Sequence, residues 1–163
     1  MTGSLAVIAL GSNLGDRAAT LDSAVSALEA VPGCAVEAVS SWHGTVALTV
    51  DGLDPDRPAY LNGVVLLRTE LTPHALLDAL RAIEHHHGRE RVERWGDRTL
   101  DLDLIAVDDL VITSPDLEVP HLRAHERDFV LAPWVEVQPE AELPGRGPIV
   151  ELLASIRSTE SQS

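Results

Sequence analysis

The clearest chemistry in this sequence comes from two aspartates separated by a single leucine. Asp101 and Asp103 lie in TLDLDLIAV, residues 99–107, where polar and apolar side chains alternate. Such alternation predicts a strand, and residues i and i+2 of a strand point to the same side, so the carboxylates are about 7 Å apart on one face. The pair favours a hard divalent cation such as Mg²⁺, which binds one or two carboxylates together with substrate phosphates. The alternative is the solvated polar face of a half-buried strand.

A cluster of arginines precedes this strand. It consists of Arg89, Arg91, Arg94 and Arg98. Guanidinium groups bind phosphate oxygens in a bidentate manner, and phosphoryl transfer depends mainly on positioning and on neutralising charge. The arginines beside the aspartates therefore favour a site for phosphates and a metal. A surface loop with salt bridges to Glu90 and Glu93 is the alternative, which the spacing alone does not reject.

The composition limits the classes of function. The chain has 163 residues, which corresponds to one domain, and a formal net charge of −14. This charge argues against a general nucleic-acid or membrane-surface binder. All 12 basic residues are arginine, so Schiff-base chemistry and a P-loop lysine are excluded. The single cysteine, Cys34, fits a reducing compartment, and the apolar run 5–10 is too short for a signal peptide or a membrane span. We therefore predict a cytoplasmic protein.

The elements that would position these residues follow a recognisable order. The patterns predict strands over 5–10, 35–42, 59–71 and 99–107, and helices over 17–30 and 73–88, with Thr72 as the N-cap of the second helix. The order strand–helix–strand–strand–helix–strand is typical of a ferredoxin-like α/β (α+β) fold, a sheet with helices packed on it.

The remaining segments would complete a single domain over residues 1–157. Residues 43–58 read as a long exposed loop, and residues 110–112 are expected to form a hairpin with the aspartate strand. Short helices are expected near 124–132 and 149–156, with a disordered tail over 158–163.

Aromatic and histidine residues add weaker signals. The aromatic side chains are few, and a flat heterocycle would gain stacking energy between them, although core packing is the commoner role of each one: Trp42, Tyr60, Trp95, Phe129 and Trp134. Residues 85–87 are three consecutive histidines in a predicted helix. Neighbouring helical residues point about 100° apart, so these side chains cannot converge on one ion, and a zinc site is not expected here.

Five stretches together resemble the 6-hydroxymethyl-7,8-dihydropterin pyrophosphokinase family of folate biosynthesis. They are ALGSNLGDR (9–17), YLNG (60–63), IEHHHGRER (83–91), RWGDRTLDLDLI (94–105) and VPHLRAHERDFVLAPWVEVQPE (119–140). The resemblance implies transfer of the terminal diphosphate of ATP to the pterin hydroxymethyl group with release of AMP. It also implies a ferredoxin-like core with long active-site loops and two Mg²⁺ ions. We expect a monomer that acts on small molecules, without a nucleic-acid or membrane partner.

The resemblance also implies roles for individual residues. Asp101 and Asp103 would be the metal ligands. The phosphate and nucleotide contacts would come from Arg89, Arg91, Arg98, His121 and Arg127, with Glu84 and Leu104 at further nucleotide-contacting positions. The pterin contacts would come from Tyr60 and Phe129 as a sandwich, Asn62 and the loop around Thr45 as hydrogen-bond partners, and Trp95 as a cover.

The sequence departs from the family pattern at three places. No proline follows Thr45, Asp97 replaces a proline or small residue, and Arg81 stands where glutamine is common. A phosphotransfer enzyme for another hydroxylated heterocycle is the closest alternative among enzymes, and the sequence does not exclude it. Two other functions fit the patterns less well: a non-catalytic ligand-binding domain and an RNA-recognition module on the same fold. The first would not need both aspartates, and the net charge of −14 opposes the second.

Overall fold

A computed structural model describes most of the chain. The described residues are 3–12, 17–45, 48–49, 52–53, 60–89 and 100–161. The strands are β1 (Ser4–Ser12), β2 (Cys34–Val39), β3 (His43–Thr45), β4 (Leu48–Thr49), β5 (Gly52–Leu53), β6 (Tyr60–Thr69), β7 (Leu100–Val107), β8 (Ile112–Ser114), β9 (Leu117–Val119), β10 (Glu142–Leu143) and β11 (Gly147–Pro148). The helices are α1 (Arg17–Ala30), α2 (Pro73–Arg89), α3 (Asp128–Val137) and α4 (Ile149–Ser161), and a 3₁₀ turn covers Ala124–Glu126.

The main sheet has the strand order β2-β6-β1-β7, with β3 added to β6. All of its pairings are antiparallel. The four long strands and the helices α1 and α2 follow one another as strand–helix–strand–strand–helix–strand. The ferredoxin-like fold predicted from the sequence is therefore confirmed, and the aspartate strand β7 lies at one end of the sheet.

Each face of the sheet carries its own core. Ile8, Leu67 and Leu102 pack on one face together with apolar residues of α1 and α2. Val7 and Val64 pack on the other face together with residues of α3 and α4. Because both faces are covered, the central strands read as nearly continuous apolar runs. A site on this sheet has to lie where a helix leaves part of a face open.

The segment after β2 differs from the prediction. Residues 43–58 were expected to form a loop, but β3 pairs with β6 and β4 pairs with β5. Trp42 turns the chain at this point: its ring lies against Gly63, where a Cβ would collide with it, and its indole Nε1 donates to Asp22 Oδ1 at 3.2 Å. Because Gly63 has no side chain, the Trp42 ring can pack against β6 at this point. The chain can then turn so that both β2 and β3 pair with β6.

The hairpin predicted between residues 99–107 and 110–112 is wrong in its pairing. Strand β8 pairs with β9. Asp108 ends β7 with a φ of 49°, donates its backbone N–H to Leu5 O at 2.9 Å and accepts Leu5 N–H through Oδ1 at 3.0 Å. These bonds hold the end of β7 to β1. Ser114 Oγ then donates to Asp116 Oδ1 at 2.9 Å in the turn that joins β8 to β9.

The C-terminal part adds the β10–β11 hairpin and α4 to the core. Helix α4 runs to Ser161, beyond the end expected near residue 156 and into the segment that we expected to be disordered. Ile149 and Leu153 are buried in the core beneath α3. Among the described residues, no helix is long and apolar enough to cross a membrane.

Candidate active site

Residues that are paired across neighbouring strands bring several polar groups together in one row on the sheet. Asp101 of β7 is in register with Gly11 of β1, Gly11 with Asn62 of β6, and Asn62 with His43 of β3. The next row joins Asp103 to Ala9. Small residues on β1 therefore leave the surface open between the aspartates and Asn62. Sequence reasoning did not single out Gly11, although a glycine that ends a buried apolar run was a usable signal.

The alternation predicted for β7 is confirmed. Leu100, Leu102 and Leu104 are buried at 5%, 0% and 4% exposure, whereas Asp101 is exposed and Asp103 is half-buried. The leucines hold the strand in the α1–α2 core, so both carboxylates are presented on the opposite face.

A cavity of about 270 Å³ lies over this polar row. Its lining consists of Ala9, Leu10, Gly11, Asn62, Asp101, Asp103, Arg127, Phe129 and Val130. Asn62 is 7% exposed, so its amide is one of the few buried polar groups of the sheet. Carboxylates, an amide, a guanidinium and an aromatic ring thus share one space that is large enough for a small heterocycle.

The start of α3 forms the wall of this cavity opposite the sheet. The guanidinium of Arg127 lies 5.6 Å from the centre of the Phe129 ring, and 37% of Phe129 is exposed. The next two residues, Val130 and Leu131, are buried and anchor the helix to β6 and β1. Phe129 is therefore held by a fixed helix while its ring stays available for stacking.

A second cavity, of about 190 Å³, lies on the other side of Asp103. Its lining consists of Leu77, Arg81, Asp103, Leu104, Asp116, Leu117, Glu118, His121 and Leu122. Asp103 lines both cavities. Two substrates, one bound in each cavity, would therefore meet at this carboxylate.

His121 is held in place at the second cavity. Its backbone N–H donates to Ile105 O at 2.8 Å, and its Nδ1 accepts from Arg123 N at 3.2 Å. Burial lowers the pKa of His121 below its usual value, and the negative charge of Asp103 only partly opposes this effect. Burial thus favours the neutral form of the ring, and Nδ1 acts as an acceptor, which leaves Nε2 as the donor.

Glu84 directs both of its oxygens to protein groups. Oε2 accepts from Leu102 N at 2.6 Å, and Oε1 accepts from Arg81 Nη1 at 3.1 Å. Leu102 lies between the two aspartates, so Glu84 contacts the strand of the site from its outer edge. The nucleotide contact implied for Glu84 stays a prediction.

Several predicted site residues lie outside the described residues: Arg91, Trp95 and Arg98. Arg89 ends α2, and Thr45 and Tyr60 are opposite each other in the β3–β6 pairing; for these three only the backbone is described. The segment 90–99 lies between the end of α2 and the start of β7 in the sequence, so the arginine cluster directly precedes the aspartate strand along the chain.

Two other polar clusters do not line either cavity. His87 Nδ1 donates to Ile83 O at 2.9 Å, and His87 Nε2 is 3.1 Å from Ser23 Oγ, which ties α2 to α1. Glu136 of α3 accepts from Ser41 N and Ser41 Oγ, both at 2.9 Å, and lies 3.0 Å from His43 Nε2. Sequence reasoning missed this Ser41–His43–Glu136 cluster because its partners are far apart in the chain.

Comparison with known proteins identifies the family. The model of the 7,8-dihydro-6-hydroxymethylpterin-pyrophosphokinase (HPPK) family matches residues 7–139. The chain belongs to this family. The resemblance drawn from the five stretches is thereby confirmed, and the cavities on either side of Asp103 are the candidate active site of an HPPK domain.

Relatives from bacteria share much of the sequence. A protein of Synechocystis sp. is 41% identical over 155 residues, which cover 94% of this chain and 77% of the relative. A protein of Pseudomonas aeruginosa is 42% identical over 149 residues, which cover 91% of this chain and 89% of the relative. Both are named 2-amino-4-hydroxy-6-hydroxymethyldihydropteridine pyrophosphokinase.

Solved structures share the fold. The wild-type HPPK-DHPS of Plasmodium falciparum superimposes with a TM-score of 0.73 at 12% sequence identity, covering 99% of this chain and 46% of that one. A structure of HPPK-DHPS in complex with substrates gives the same TM-score and identity over 100% of this chain and 45% of that one. The present chain thus spans about half the length of these proteins.

Proposed function

We propose that Asp101 and Asp103 hold Mg²⁺ between a pterin in the larger cavity and an ATP whose nucleoside part lies in the smaller one. The observation that carries this proposal is that Asp103 lines both cavities. In-line transfer requires the acceptor hydroxyl and the phosphates to meet at one point. Asp103 supplies that point.

The reaction is that of the family to which the chain belongs. The enzyme transfers diphosphate from ATP to 6-hydroxymethyl-7,8-dihydropterin in folate biosynthesis, and it releases AMP. Because two phosphoryl groups move together, the bond that breaks lies in the α–β bridge of ATP. The pterin hydroxyl attacks the β-phosphorus, so the bond broken is the β-phosphorus bond to the α–β bridging oxygen, which stays with AMP.

The residues present fit Mg²⁺ as the cofactor. Among the described residues, no three histidine, cysteine, aspartate or glutamate side chains come together as a metal-binding group. Two carboxylates with the remaining ligands from phosphates and water are the arrangement that Mg²⁺ favours, and we infer two ions. When bound, Mg²⁺ would neutralise phosphate charge and lower the pKa of the attacking hydroxyl.

The larger cavity supplies contacts suited to a pterin. The exposed ring of Phe129 offers one stacking surface, and the Asn62 amide can pair with the polar edge of a heterocycle. Tyr60 would form the second half of the sandwich. Thr45, which is opposite Tyr60 in the β3–β6 pairing, would bring a further hydrogen-bonding group to the same end of the sheet.

Hydrogen-bond donors around the aspartates would hold the phosphates. Arg127 lines the larger cavity and His121 the smaller one, and Leu104 lies beside His121. A neutral His121 would donate from Nε2 to a phosphate oxygen. Arg89, Arg91 and Arg98 would add charge from the segment between α2 and β7, and Trp95 in that segment would cover the bound substrates.

The partners follow from the substrates. ATP and the pterin are small molecules, and we infer a cytoplasmic monomer that acts without nucleic acid or a membrane. We propose a single domain over residues 1–157, whose C-terminal boundary falls within α4.

Product analysis tests the function. The protein is incubated with Mg-ATP and reduced hydroxymethylpterin, and the released nucleotide is identified by chromatography. We expect AMP in equal amount to the pterin diphosphate. ADP would indicate single phosphoryl transfer and contradict the proposal, and the absence of any product would favour a non-catalytic binding domain.

A further inference from the structure

Two side chains of α2 bind the outer edge of the aspartate strand at one residue. Leu102 N donates to Glu84 Oε2 at 2.6 Å, and Leu102 O accepts from Arg81 Nη1 at 3.4 Å. The same Arg81 Nη1 lies 3.1 Å from Glu84 Oε1. Strand β7 ends the order β2-β6-β1-β7, so these side chains bond both backbone groups that a further strand would otherwise pair with.

The residue that they bind separates the two proposed metal ligands. The Leu102 side chain is fully buried in the core of α1 and α2. Its backbone is bonded on the outer edge to Glu84 and Arg81. The torsion angles of Leu102 determine how Asp101 and Asp103 are directed relative to each other, because the two aspartates are its direct neighbours. Fixing Leu102 on both sides therefore fixes the distance between the carboxylates.

Glu84 and Arg81 differ in how deeply their side chains are buried. The Glu84 side chain is 22% exposed, whereas that of Arg81 is 57% exposed. Hydrogen bonds from a backbone N–H to a carboxylate are shorter and stronger than those between neutral groups. Glu84 is thus the central member, and Arg81 orients it from the solvent side while it reaches the Leu102 carbonyl.

We propose that Glu84 and Arg81 form a positioning clamp that sets the spacing of Asp101 and Asp103 for the metal ions. The inference rests on the proposed function, since it assigns the clamp to the metal site described above. It differs from the role that the family resemblance implies for Glu84, which is direct contact with the nucleotide. It also gives a role to Arg81, one of the departures from the family pattern. Both bind the backbone of Leu102 and act as positioning residues, and Arg81 in addition lines the smaller cavity.

The experiment separates metal binding from catalysis. A non-hydrolysable ATP analogue is titrated by calorimetry over a range of Mg²⁺ concentrations, and the exchange rate of the Leu102 amide is measured by NMR without metal. For Glu84→Ala we expect the half-saturating Mg²⁺ concentration to rise about tenfold or more, as for other groups that orient metal ligands. The Leu102 amide should exchange faster. Analogue affinity at saturating Mg²⁺ should stay close to that of the unaltered protein.

Two further variants, each of which keeps part of the clamp, complete the series. Glu84→Gln keeps an oxygen for Leu102 N, so we expect a smaller rise in the half-saturating Mg²⁺ concentration than in Glu84→Ala. Arg81→Ala leaves the Glu84–Leu102 bond and should also produce a smaller rise. Because both retain part of the clamp, they report on it even where Glu84→Ala lowers the yield of folded protein. Because Arg81 lines the smaller cavity, a lower analogue affinity at saturating Mg²⁺ in Arg81→Ala would mean that Arg81 contacts the nucleotide and is not part of the clamp.

A matched control lies at the opposite edge of the sheet. Glu29 of α1 accepts from Val36 N of β2 at 3.1 Å, which is the same kind of bond between a helix side chain and a strand backbone. Glu29→Ala should leave both the Mg²⁺ dependence and Leu102 exchange unchanged. An equal change of the Mg²⁺ dependence and of Leu102 exchange in Glu29→Ala and Glu84→Ala would overturn the proposal, because it would reflect a general loosening of the sheet.

Other outcomes would also overturn the clamp. Analogue affinity that falls equally at all Mg²⁺ concentrations in Glu84→Ala, with unchanged Leu102 exchange, would mean that Glu84 contacts the nucleotide directly. Asp103→Asn serves as the reference in the same titration. A changed Mg²⁺ dependence in Asp103→Asn but not in Glu84→Ala would reject the clamp alone. An unchanged dependence in both variants would reject the proposed metal site as well.

Discussion

The two ends of the sheet use the same hydrogen bond for different purposes. At the β2 end, Glu29 of α1 binds Val36 N, and at the β7 end, Glu84 of α2 binds Leu102 N. Both bonds satisfy a backbone N–H that no strand of the described residues pairs with on that side. Strand β2 carries a solvent-exposed ion pair at its end of the sheet, in which Glu37 lies 2.8 Å from Arg68 of β6. Strand β7 instead carries the two aspartates of the cavities.

The difference lies in what each strand presents on its open face. Exposed ion pairs such as Glu37–Arg68 contribute little to the free energy of unfolding. A carboxylate that has to meet both a metal and a phosphate depends on its position far more strongly. Changes at the β7 end should therefore act mainly on turnover, and changes on the β2 side mainly on stability.

The largest effect is expected at the β7 end. Asp103→Asn keeps the shape of the side chain but removes a negative charge from the point where the cavities meet. We expect turnover to fall about a hundredfold or more, in the range seen when one preorganised electrostatic contact is removed. The measurement is AMP formation across a Mg²⁺ titration, and Asp101→Asn should behave similarly. Near-normal turnover in both variants would mean that the carboxylates are only a solvated strand face.

The control for this experiment is Asp109→Asn. Asp109 is exposed in the turn after β7, and its substitution should leave turnover nearly unaltered. Asp108 is less suitable, because its carboxylate accepts Leu5 N–H and helps to hold β7 against β1.

An intermediate effect is expected at the wall of the larger cavity. Phe129→Ala removes the exposed ring opposite Asn62, so pterin binding should weaken by about 1 kcal/mol or more. The affinity for an ATP analogue should change much less, and calorimetry with each ligand measures both. Val111→Ala is the control, since Val111 is an apolar residue with 70% exposure. Equal losses for the two ligands would indicate a folding defect and contradict a stacking role.

The smallest effect is expected on the β2 side and concerns pH. Hydrogen bonds from His43 and Ser41 hold the pKa of Glu136 below its usual value. A carboxyl group with a lowered pKa in the folded state adds stability above its unfolded pKa, about 4.3, and this contribution is lost as the pH falls through the lower folded value. Glu136→Gln should therefore flatten the loss of stability over that acidic range, while turnover at pH 7 stays similar.

Thermal unfolding followed at several pH values checks this prediction. Parallel stability curves for Glu136→Gln and the unaltered protein across the acidic range would show that the cluster does not contribute. A large loss of turnover at pH 7 in Glu136→Gln would instead mean that the β2 side also contributes to catalysis, which would contradict the difference between the two ends of the sheet.

Much of the fold could be predicted because its signals are local. Helix α1 begins and ends at the predicted residues 17 and 30. Helix α2 begins at Pro73 as predicted and ends at Arg89, one residue after the predicted end. Strand β7 follows from the alternation of leucine and aspartate. These patterns arise from the geometry of a single segment with one buried side, so neighbouring residues are sufficient to reveal them.

The predictions that failed concern pairing between segments. Residues 110–112 were expected to pair with β7 because they are close in sequence and apolar, yet β8 pairs with β9. The bonds between Asp108 and Leu5 and the turn at Ser114 decide the pairing instead. The strand pairing within residues 43–58 was also missed, because β4 and β5 are each only two residues long and too short for a periodic signal.

The sequence by itself determined that leucines of β7 enter the core and that Asp101 and Asp103 share the opposite face, because side-chain direction alternates along any strand. Only the tertiary structure decided what those carboxylates meet. It brings Arg127 and Phe129 of α3 over the sheet, places His121 on the other side of Asp103, and turns both Glu84 oxygens toward protein groups. Such contacts join residues far apart in the chain, and they depend on how helices and strands pack rather than on the order of the residues within one segment.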